Sequence, residues 1–260
     1  MFKKLINLFV YRELLYNLAM KDIKGRYKQT IIGAGWAIFQ PFVMMIVFTI
    51  VFSIFAKIPS KKIPYPLFAF CGLSVWAFFS SSITKAVSSI IQNVNLVTKI
   101  YFPREILPFS SISAAFLDFI IAMFLCFLMT LFYGITLSPY IFLFPIILII
   151  QLLLISGLSL FFSALNVFKR DINYLIPIFL QIWMFLSPVV YPVAIVPSQY
   201  KHLYMLNPAA GIIEGYRSCL LYGSMPSLKP LIWAGILSLF IFLLSYFFFK
   251  KVEMKFADII

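Results

Sequence analysis

The sequence predicts an all-α integral membrane protein with six transmembrane helices, an amphipathic interfacial helix at the N-terminus, and a re-entrant helical pair between the fifth and sixth spans. Of the 260 residues, 63% are hydrophobic and only 11% are charged, whereas soluble domains carry about 25% charged residues. The apolar residues also form long continuous runs, and about 20 of them in a helix cross a bilayer core. The composition therefore excludes a soluble enzyme and a disordered chain.

Two amphipathic stripes precede the first span. Their apolar residues recur at the i, i+3, i+4, i+7 spacing of a helix. The stripes are Phe2, Leu5, Ile6 and Phe9, then Tyr11, Leu14, Leu15 and Leu18. Because the stripes are offset by nine residues, they face opposite sides of a straight helix. Either the helix bends near Val10 and Tyr11, or one stripe contacts lipid and the other contacts protein.

Basic residues flank these stripes, which is typical of a helix that lies in the membrane interface. The group that follows the second stripe is Lys21, Lys24, Arg26 and Lys28. Such clusters attract anionic lipid headgroups, so two interpretations stay open: simple anchoring, or a lateral gate at which these side chains guide a headgroup. Residues 1–30 lack the apolar core and cleavage site of a signal peptide, so no cleaved leader is expected.

Six stretches are long and apolar enough to span the membrane. They are residues 36–56, 67–91, 109–133, 140–165, 174–192 and 229–249. With this count, 14 Lys and Arg residues fall on the side of the termini, six fall on the other side, and Lys85 lies within a span. Positive residues concentrate on the cytoplasmic side of membrane proteins, so both termini are predicted to be cytoplasmic.

Two charged residues lie within spans. Lys85 is close enough to the cytoplasmic end of the second span to extend its ammonium group to the interface. Asp118 falls near the middle of the third span, where a carboxylate is costly unless it is paired or hydrated. Because the second and third spans form a hairpin, a Lys85–Asp118 pair is within reach. A role in transport is the alternative.

Residues 193–228 are apolar but too interrupted by proline and charge to cross the membrane. They predict two short helices that dip in from the outer face, the second with Asn207 as N-cap and Pro208 at the first helical position. Glu214 and Arg217 are spaced to form an i,i+3 pair. Irregular backbone at membrane depth must pack in protein or line a cavity.

This segment is therefore a candidate outer gate, whose residues are Asn207, Pro208, Glu214, Tyr216 and Arg217. Passive packing is the alternative to gating.

Motifs for metal, redox or nucleotide chemistry are absent from the sequence. Cys71, Cys126 and Cys219 are far apart without CxxC spacing, and His202 is the single histidine, so neither a metal site nor a disulfide framework is predicted. No GxxxxGKS/T sequence provides a phosphate-binding loop. The formal net charge of +13 could suggest a nucleic-acid partner, but the apolar composition favours a role for these charges in membrane orientation.

Four groups of motifs occur in order along the chain. They are Lys21 to Thr30 with Gly33, Trp36, Gln40 and Pro41; Asn93 to Leu96 with Lys99 and Phe102 to Pro108; Arg170-Asp171 with Ser187 to Tyr191; and Leu206-Asn207-Pro208 with Tyr216-Arg217. Together they resemble ABC-2 type permeases that export polysaccharides, and the likeness covers nearly the whole chain. One departure is Lys21-Asp22, where Arg-Asp is more frequent in the family, but the charge is kept.

This resemblance implies an ABC-2 type transmembrane domain over residues 31–260, behind the amphipathic segment 1–30. It implies the membrane subunit of an exporter of lipid-linked polysaccharide, of the O-antigen, capsule or teichoic-acid type, in the bacterial inner membrane. Such permeases are homodimers that bind two copies of a separate ATPase. The chain is then not an enzyme and holds no cofactor, because ATP and Mg belong to the ATPase, and no nucleic-acid partner is expected.

The resemblance also implies that residues 93–102 form a coupling helix that docks in a groove of the ATPase. Asn93 is a good N-cap, and Pro103 stops a helix. The candidate contact residues are Asn93, Asn95, Leu96, Val97, Lys99, Ile100 and Tyr101. Leu96, Val97, Ile100 and Tyr101 provide an apolar face. An ordinary structured loop is the alternative.

Aromatic residues make up 19% of the chain, and they suggest how a polysaccharide could pass. The C–H faces of sugar rings pack on aromatic rings, and a conduit needs weak, repeated sites. The candidates are Trp36, Phe39, Phe42 and Phe48 in the first span and Phe179, Trp183, Phe185 and Tyr191 in the fifth. Alternatively, these rings face lipid or form interfacial belts.

Three other classes of protein remain as alternatives. A proton-coupled carrier typically uses carboxylates and histidines within its spans, and Asp118 is the one carboxylate clearly inside a span. A membrane-bound transferase would need a catalytic loop with acids or metal ligands. A drug-exporting ABC-2 permease shares the family, although the aromatic content favours a polysaccharide cargo.

Overall fold

The computed structural model describes residues 11–28, 30, 33–55, 63–136 and 138–259. Every element of regular structure within these ranges is helical, as the sequence predicts. The α-helices are α1 (Arg12–Tyr27), α2 (Trp36–Phe48), α3 (Tyr65–Gln92), α4 (Val94–Lys99), α5 (Ile106–Phe132), α6 (Phe144–Phe168), α7 (Ile172–Phe185), α8 (Ser198–Met205), α9 (Pro208–Arg217), α10 (Leu228–Val252) and α11 (Phe256–Ile259). Short turns of helix extend them, namely Thr49–Phe55 after α2, Pro139–Leu143 before α6, Ser218–Tyr222 after α9 and Glu253–Lys255 after α10.

Five helices in the described part of the chain are long and apolar enough to cross a bilayer. They are α2 with its extension, α3, α5, α6 with the turn before it, and α10 with the turn after it. They coincide with the first, second, third, fourth and sixth predicted spans.

The fifth predicted span, residues 174–192, is not one continuous helix. α7 has 14 residues, about 21 Å at a rise of 1.5 Å per residue, and the chain turns after it. Pro188 accounts for the break, because proline lacks the backbone donor of a helix and disfavours helical backbone in the preceding residue. The turn is nevertheless inside the protein, since Val189 and Val190 are fully buried.

α3 lies at the centre of the bundle, with α5, α6 and α7 packed around it. In its most apolar stretch 78% of the residues are buried, compared with 11% for α2. The peripheral helices expose large apolar side chains such as Phe124, Ile149 and Phe240. Apolar exposure on this scale is typical of surfaces that contact membrane or protein.

Small side chains let the helices approach closely. α6 and α10 cross at Gly157, where a β-carbon would lie 2.9 Å from the backbone of Phe242, an approach that small residues permit in membrane proteins. The cysteines Cys71, Cys126 and Cys219 are free and buried, which agrees with their interpretation as small apolar side chains.

The two ends of the bundle differ in composition. One end, hereafter the terminal end, holds an apolar cluster formed by both terminal segments and the loop between α3 and α5. Its buried members are Leu18, Ile90, Val97, Phe102, Ile106, Leu107, Leu160, Ala164, Val167, Tyr246, Phe249 and Phe256. The opposite end holds the turn after α7, α8, α9 and the beginning of α10.

α1 packs its apolar stripe against the terminal end. Leu18 is buried, and Tyr11, Leu14 and Leu15 are partly buried against the same cluster. The second of the two predicted stripes therefore contacts protein. The first stripe, within residues 1–10, lies outside the described residues.

Candidate functional site

The loop between α3 and α5 contains a helix, as predicted, but α4 is shorter than residues 93–102. It ends at Lys99, and the backbone of Ile100 is extended. Asn93 does not cap α4 through its side chain. Its amide group donates to the Ser89 carbonyl over 2.8 Å, and its oxygen accepts from the Lys21 ammonium group over 3.0 Å. Asn93 therefore occupies the predicted N-cap position, but its side chain ties α1 to the loop and does not cap α4.

The predicted apolar face of the loop is divided between two directions. Val97 is buried and Leu96 is partly buried against the terminal end. Ile100 and Tyr101 face away from the bundle, with 57% and 86% of their surfaces exposed. The exposed members of the predicted contact set are Asn95, Lys99, Ile100 and Tyr101. Adjacent exposed apolar and aromatic side chains suit a protein partner.

A cavity of about 170 Å³ lies between α1, α2, α3 and α5. Its polar lining consists of Arg26, Gln40, Ser74, Ser80, Ser81, Lys85 and Asp118. Arg26 and Asp118 form an ion pair, so the carboxylate within the span has the charged partner that its position requires. That partner is on α1, whereas the sequence suggested Lys85, which lines the same cavity.

The four basic residues considered for headgroup binding have different surroundings. Arg26 lines the cavity, Lys21 bonds to Asn93, and Lys24 and Lys28 are exposed. The cavity thus groups Arg26 with Lys85 and Asp118. The closeness of Lys85 and Asp118 was predicted from the hairpin of the two spans, whereas the approach of Arg26 on α1 was not.

Three of the four predicted conduit rings on α2 are exposed. Trp36, Phe39 and Phe42 expose between 41% and 44% of their surfaces, and Trp36 packs edge-on against Phe39 with ring centres 5.2 Å apart. Phe48, in contrast, is partly buried beside Phe52. These positions are compatible with a conduit wall and equally with contact to lipid.

The aromatic rings predicted on α7 pack against further aromatic rings on α3. Trp183 lies 5.3 Å from Phe179, 5.2 Å from Phe79 and 6.3 Å from Trp76, between ring centres. Phe185, the last residue of α7, is half-exposed. The sequence reasoning missed Trp76 and Phe79, although their i,i+3 spacing places them on one face of a helix.

A more open cavity of about 390 Å³ lies at the opposite end. Its lining, hereafter the outer groove, is Trp183, Leu186, Tyr200, Leu203, Tyr204, Asn207 and Pro208. The three α8 residues were missed by the sequence reasoning, although their i, i+3, i+4 spacing is a usable signal.

Two tyrosines brace the rim of the outer groove. The Tyr204 hydroxyl donates to the Tyr191 hydroxyl over 3.1 Å, and Tyr191 donates to the Phe185 carbonyl over 2.7 Å. Burial raises the pKa of Tyr204, and its hydrogen bond to Tyr191 raises this pKa further. Tyr204 therefore keeps its proton and acts as a donor.

Asn207 joins the elements around the outer groove. Its side-chain oxygen accepts from the Ala209 amide and from the Trp183 indole, each over 3.0 Å. Its side-chain amide donates to the Leu186 carbonyl and the Ser187 hydroxyl over 3.1 and 2.9 Å. The predicted N-cap is confirmed, with Pro208 as the first residue of α9.

Arg217 is fully buried at the end of α9. Its guanidinium group bonds to Glu214 over 3.0 Å, which confirms the predicted pair. The same group donates to the carbonyls of Pro188, Val189 and Phe68 and lies 3.5 Å from the centre of the Phe68 ring. Arg217 therefore joins α9 to the turn after α7 and to α3.

Two further residues fix α9 in the bundle. The Tyr216 hydroxyl donates to the Gln151 side chain on α6 over 2.8 Å. Gly72 of α3 lets Arg217 and the turn after α7 approach, because a β-carbon there would lie 2.3 Å from the Val189 oxygen and 2.4 Å from Arg217 Nη2. The candidate outer gate on α9 is therefore packed in protein, whereas α8, which precedes it in the chain, has no buried residue.

The long apolar helices and their exposed apolar faces define a multi-pass α-helical membrane protein. Residues 13–221 match the ABC-2 type transporter family, and the chain belongs to that family.

Three relatives extend this likeness over most of the chain. An O-antigen export system permease protein, RfbA, from Myxococcus xanthus is 28% identical over 96% of both chains. The RfbA permease of Klebsiella pneumoniae is 27% identical over 98% of this chain and 97% of its own. The polysialic acid transport protein KpsM of Escherichia coli is 25% identical over 88% of this chain and 90% of its own.

Proposed function

We propose that the chain is the transmembrane subunit of an ABC exporter that moves lipid-linked polysaccharide of the O-antigen type across the bacterial inner membrane. A separate ATPase subunit, which holds ATP and Mg, drives the transport. The observation that carries the proposal is similarity to O-antigen export permeases over 96% or more of the chain. The aromatic outer groove agrees with a sugar cargo, because ring faces offer weak and repeated contacts.

Six crossings, with both termini cytoplasmic, are part of this proposal. Leu18 of α1 and Phe256 of α11 share one cluster, which supports an even number of crossings between them. Five are supplied by the long helices. α7 and the turn after it supply the sixth, because α6 ends at the terminal end with Val167 and α10 begins beside α9. α8 and α9 then form the re-entrant pair on the outer side.

Contact with the ATPase is assigned to the loop around α4, in a complex of two permease chains and two ATPase chains. Ile100 and Tyr101 form its exposed patch, and the basic residues near the terminal end favour a cytoplasmic location. A helix or loop inserted into a groove is a common mode of binding.

The path of the cargo is assigned to three regions. Lys85 lies beside the Arg26–Asp118 ion pair in the cavity between α1, α2, α3 and α5, and the three groups together leave a net positive charge for an anionic headgroup. The predicted rings of α2 and α7 supply the conduit wall. The outer groove is the exit, with α8 as its movable side and α9 as its fixed side.

Reconstitution tests the function directly. The permease and its ATPase would be placed in liposomes with a lipid-linked O-antigen, and transfer of polymer across the bilayer measured by accessibility to an added glycosidase. We expect transfer that requires ATP and persists when ionophores collapse the proton gradient. Transfer without ATP that is abolished by ionophores would instead indicate a proton-coupled carrier.

A capsular polysaccharide is the second candidate cargo, because the polysialic acid transport protein is also similar to this chain. Its identity and coverage are lower than those of the O-antigen permeases. Offering capsular polymer, teichoic acid and a hydrophobic drug as competitors in the same assay would rank these alternatives.

A further inference from the structure

Two consecutive residues of the loop between α4 and α5 reach across the terminal end to the last long helix. Glu105 is completely buried, and its Oε2 accepts from Lys250 Nζ over 2.6 Å. Arg104 donates to the backbone carbonyl of Glu253, and the Glu253 carboxylate accepts from Lys250 over 3.0 Å. Arg104, Glu105, Lys250 and Glu253 form one network, here called the loop clasp.

Stability alone does not account for the loop clasp. Removing charges from water is costly, and apolar side chains of similar volume are often at least as stabilising as a buried ion pair. Moreover, Glu105 Oε1 is buried without a hydrogen-bond partner among the described residues. In some proteins a buried ion pair selects one arrangement of the groups that it joins.

The surroundings of the loop clasp pack the loop between α4 and α5 against α10 and α11. Phe102 lies in the same apolar cluster as Phe249 and Phe256, whose ring centres are 5.4 Å apart. The guanidinium group of Arg104 lies 6.0 Å from the centre of the Phe256 ring. Only a few residues before Arg104, the patch of Ile100 and Tyr101 projects outward.

The other end of α10 packs against the candidate gate. At Gly211 of α9, a β-carbon would lie 2.7 Å from the Pro230 carbonyl oxygen. The same helix therefore contacts the loop at one end of the bundle and α9 at the other.

We propose that the loop clasp is a positioning device through which movement of the loop around α4 is transmitted to α10, and along α10 to α9. The inference rests on the proposed function, in which Ile100 and Tyr101 contact the ATPase. A displacement of that patch pulls on Arg104 and Glu105, and these two residues are anchored on Glu253 and Lys250.

The test compares the variants Lys250→Met and Glu105→Gln with Lys251→Met. Lys251 is the next residue on the same helix and is exposed, so its substitution makes the same chemical change outside the clasp.

Each variant is purified with the ATPase and reconstituted, and ATP hydrolysis and polymer export are measured on the same vesicles. In both clasp variants we expect export per ATP to fall at least about tenfold while ATPase binding and hydrolysis stay within about twofold, because a ~1.4 kcal/mol loss of coupling is a factor of ten. Lys251→Met should match the wild type, and Lys250→Arg, which keeps the charge, should restore most of the export.

An unchanged ratio of export to hydrolysis in the clasp variants would overturn the proposal, as would an equal loss in Lys251→Met. A merely structural role would reduce the amount of folded complex and leave this ratio unchanged. If Lys250→Met does not fold, Glu105→Gln decides, because it preserves the side-chain volume.

Wild-type export with ATP tests the proposed function separately from the clasp. If the wild type exports no polysaccharide, the proposed function fails, and hydrogen exchange then tests the clasp by itself. The amides of Val94–Lys99 should exchange at least about fivefold faster in Lys250→Met than in Lys251→Met if the clasp holds the loop. Equal exchange rates in the two variants would overturn the clasp.

Discussion

The two ends of the bundle are held by different kinds of hydrogen bond. At the terminal end, Lys250 pairs with the side chains of Glu105 and Glu253. At the opposite end, Arg217 and Asn207 together donate to three backbone carbonyls of the turn after α7, those of Pro188, Val189 and Leu186, in addition to their other bonds. The reason is that long helices satisfy their own backbone groups, whereas a turn inside the bundle leaves carbonyls that need donors. Substitutions should therefore damage the fold most at the opposite end and affect transport most at the terminal end.

Replacing Arg217 should have the largest effect. In Arg217→Lys, a single ammonium group would replace a planar guanidinium group that donates to Glu214 and to three backbone carbonyls. An ammonium group cannot reproduce the fixed fork of N–H donors of a guanidinium group. Each buried carbonyl left without its donor costs about 1–3 kcal/mol. We expect little folded protein after extraction in detergent, measured by size-exclusion chromatography and thermal unfolding.

Arg170→Lys is the matched control, because Arg170 is exposed and should tolerate the same change. If Arg217→Lys unfolds at the wild-type temperature, the carbonyls of the turn do not depend on Arg217, and the contrast between the two ends is lost.

The exposed patch of the terminal end should show the opposite behaviour. Ile100→Asp combined with Tyr101→Asp adds charge to side chains that are mostly exposed, so the fold should survive. Charge in the centre of an interface opposes its desolvation, so we expect at least about tenfold less ATPase in co-purification.

Thr98→Asp, which adds a charge to an exposed position of α4, should retain most of the ATPase. Wild-type recovery of the ATPase with the Ile100 and Tyr101 double variant would remove this patch from the interface.

The difference between local patterns and long-range contacts explains which features the sequence could predict. Long apolar runs predict five of the long helices and their order, but they do not reveal that the fifth predicted span breaks after α7. Asn207-Pro208 gives a local signal for the start of α9. The Glu214–Arg217 pair also follows from spacing on one helix. The carbonyls bound by Arg217, the Arg26–Asp118 pair and the loop clasp join residues that are far apart in the chain, so no local pattern reveals them. Asn93 shows the reverse case, because a favourable local capping residue bonds to Lys21 of another helix instead.

Gly72 should have a smaller effect than Arg217. Gly72→Ala places a methyl group where the Val189 carbonyl and the Arg217 guanidinium lie, and overpacking of this kind costs about 1–3 kcal/mol. We expect a lower midpoint of thermal unfolding with the fold retained.

Gly235→Ala is the matched control for this helix position, since the nearest atom to its β-carbon is a side-chain methyl 3.5 Å away. It should be neutral or slightly stabilising, because alanine favours helix over glycine by about 1 kcal/mol. Equal midpoints for the two variants would mean that the turn after α7 can move away from α3.

Trp183→Phe should show the smallest effect on the fold, and its comparison with Trp183→Ala separates two roles of Trp183 in the outer groove. The indole both lines the groove and donates to Asn207. Trp183→Phe keeps an aromatic surface and loses one hydrogen bond, worth about 0.5–1.5 kcal/mol, whereas Trp183→Ala loses both. If ring faces carry the sugar, export should fall about threefold to tenfold in the alanine variant and little in the phenylalanine variant.

Equal losses of export in the two Trp183 variants would instead assign the role of Trp183 to the hydrogen bond that holds Asn207. Trp233→Ala provides the comparison, because the Trp233 indole also donates a hydrogen bond at the opposite end, in its case to the Leu206 carbonyl over 3.0 Å, but is not among the residues that line the groove. Full export in Trp233→Ala together with a loss in Trp183→Ala would place the sugar contact in the groove. The reverse result would mean that bracing of the turn and α8, and not an aromatic surface, is what the opposite end contributes to transport.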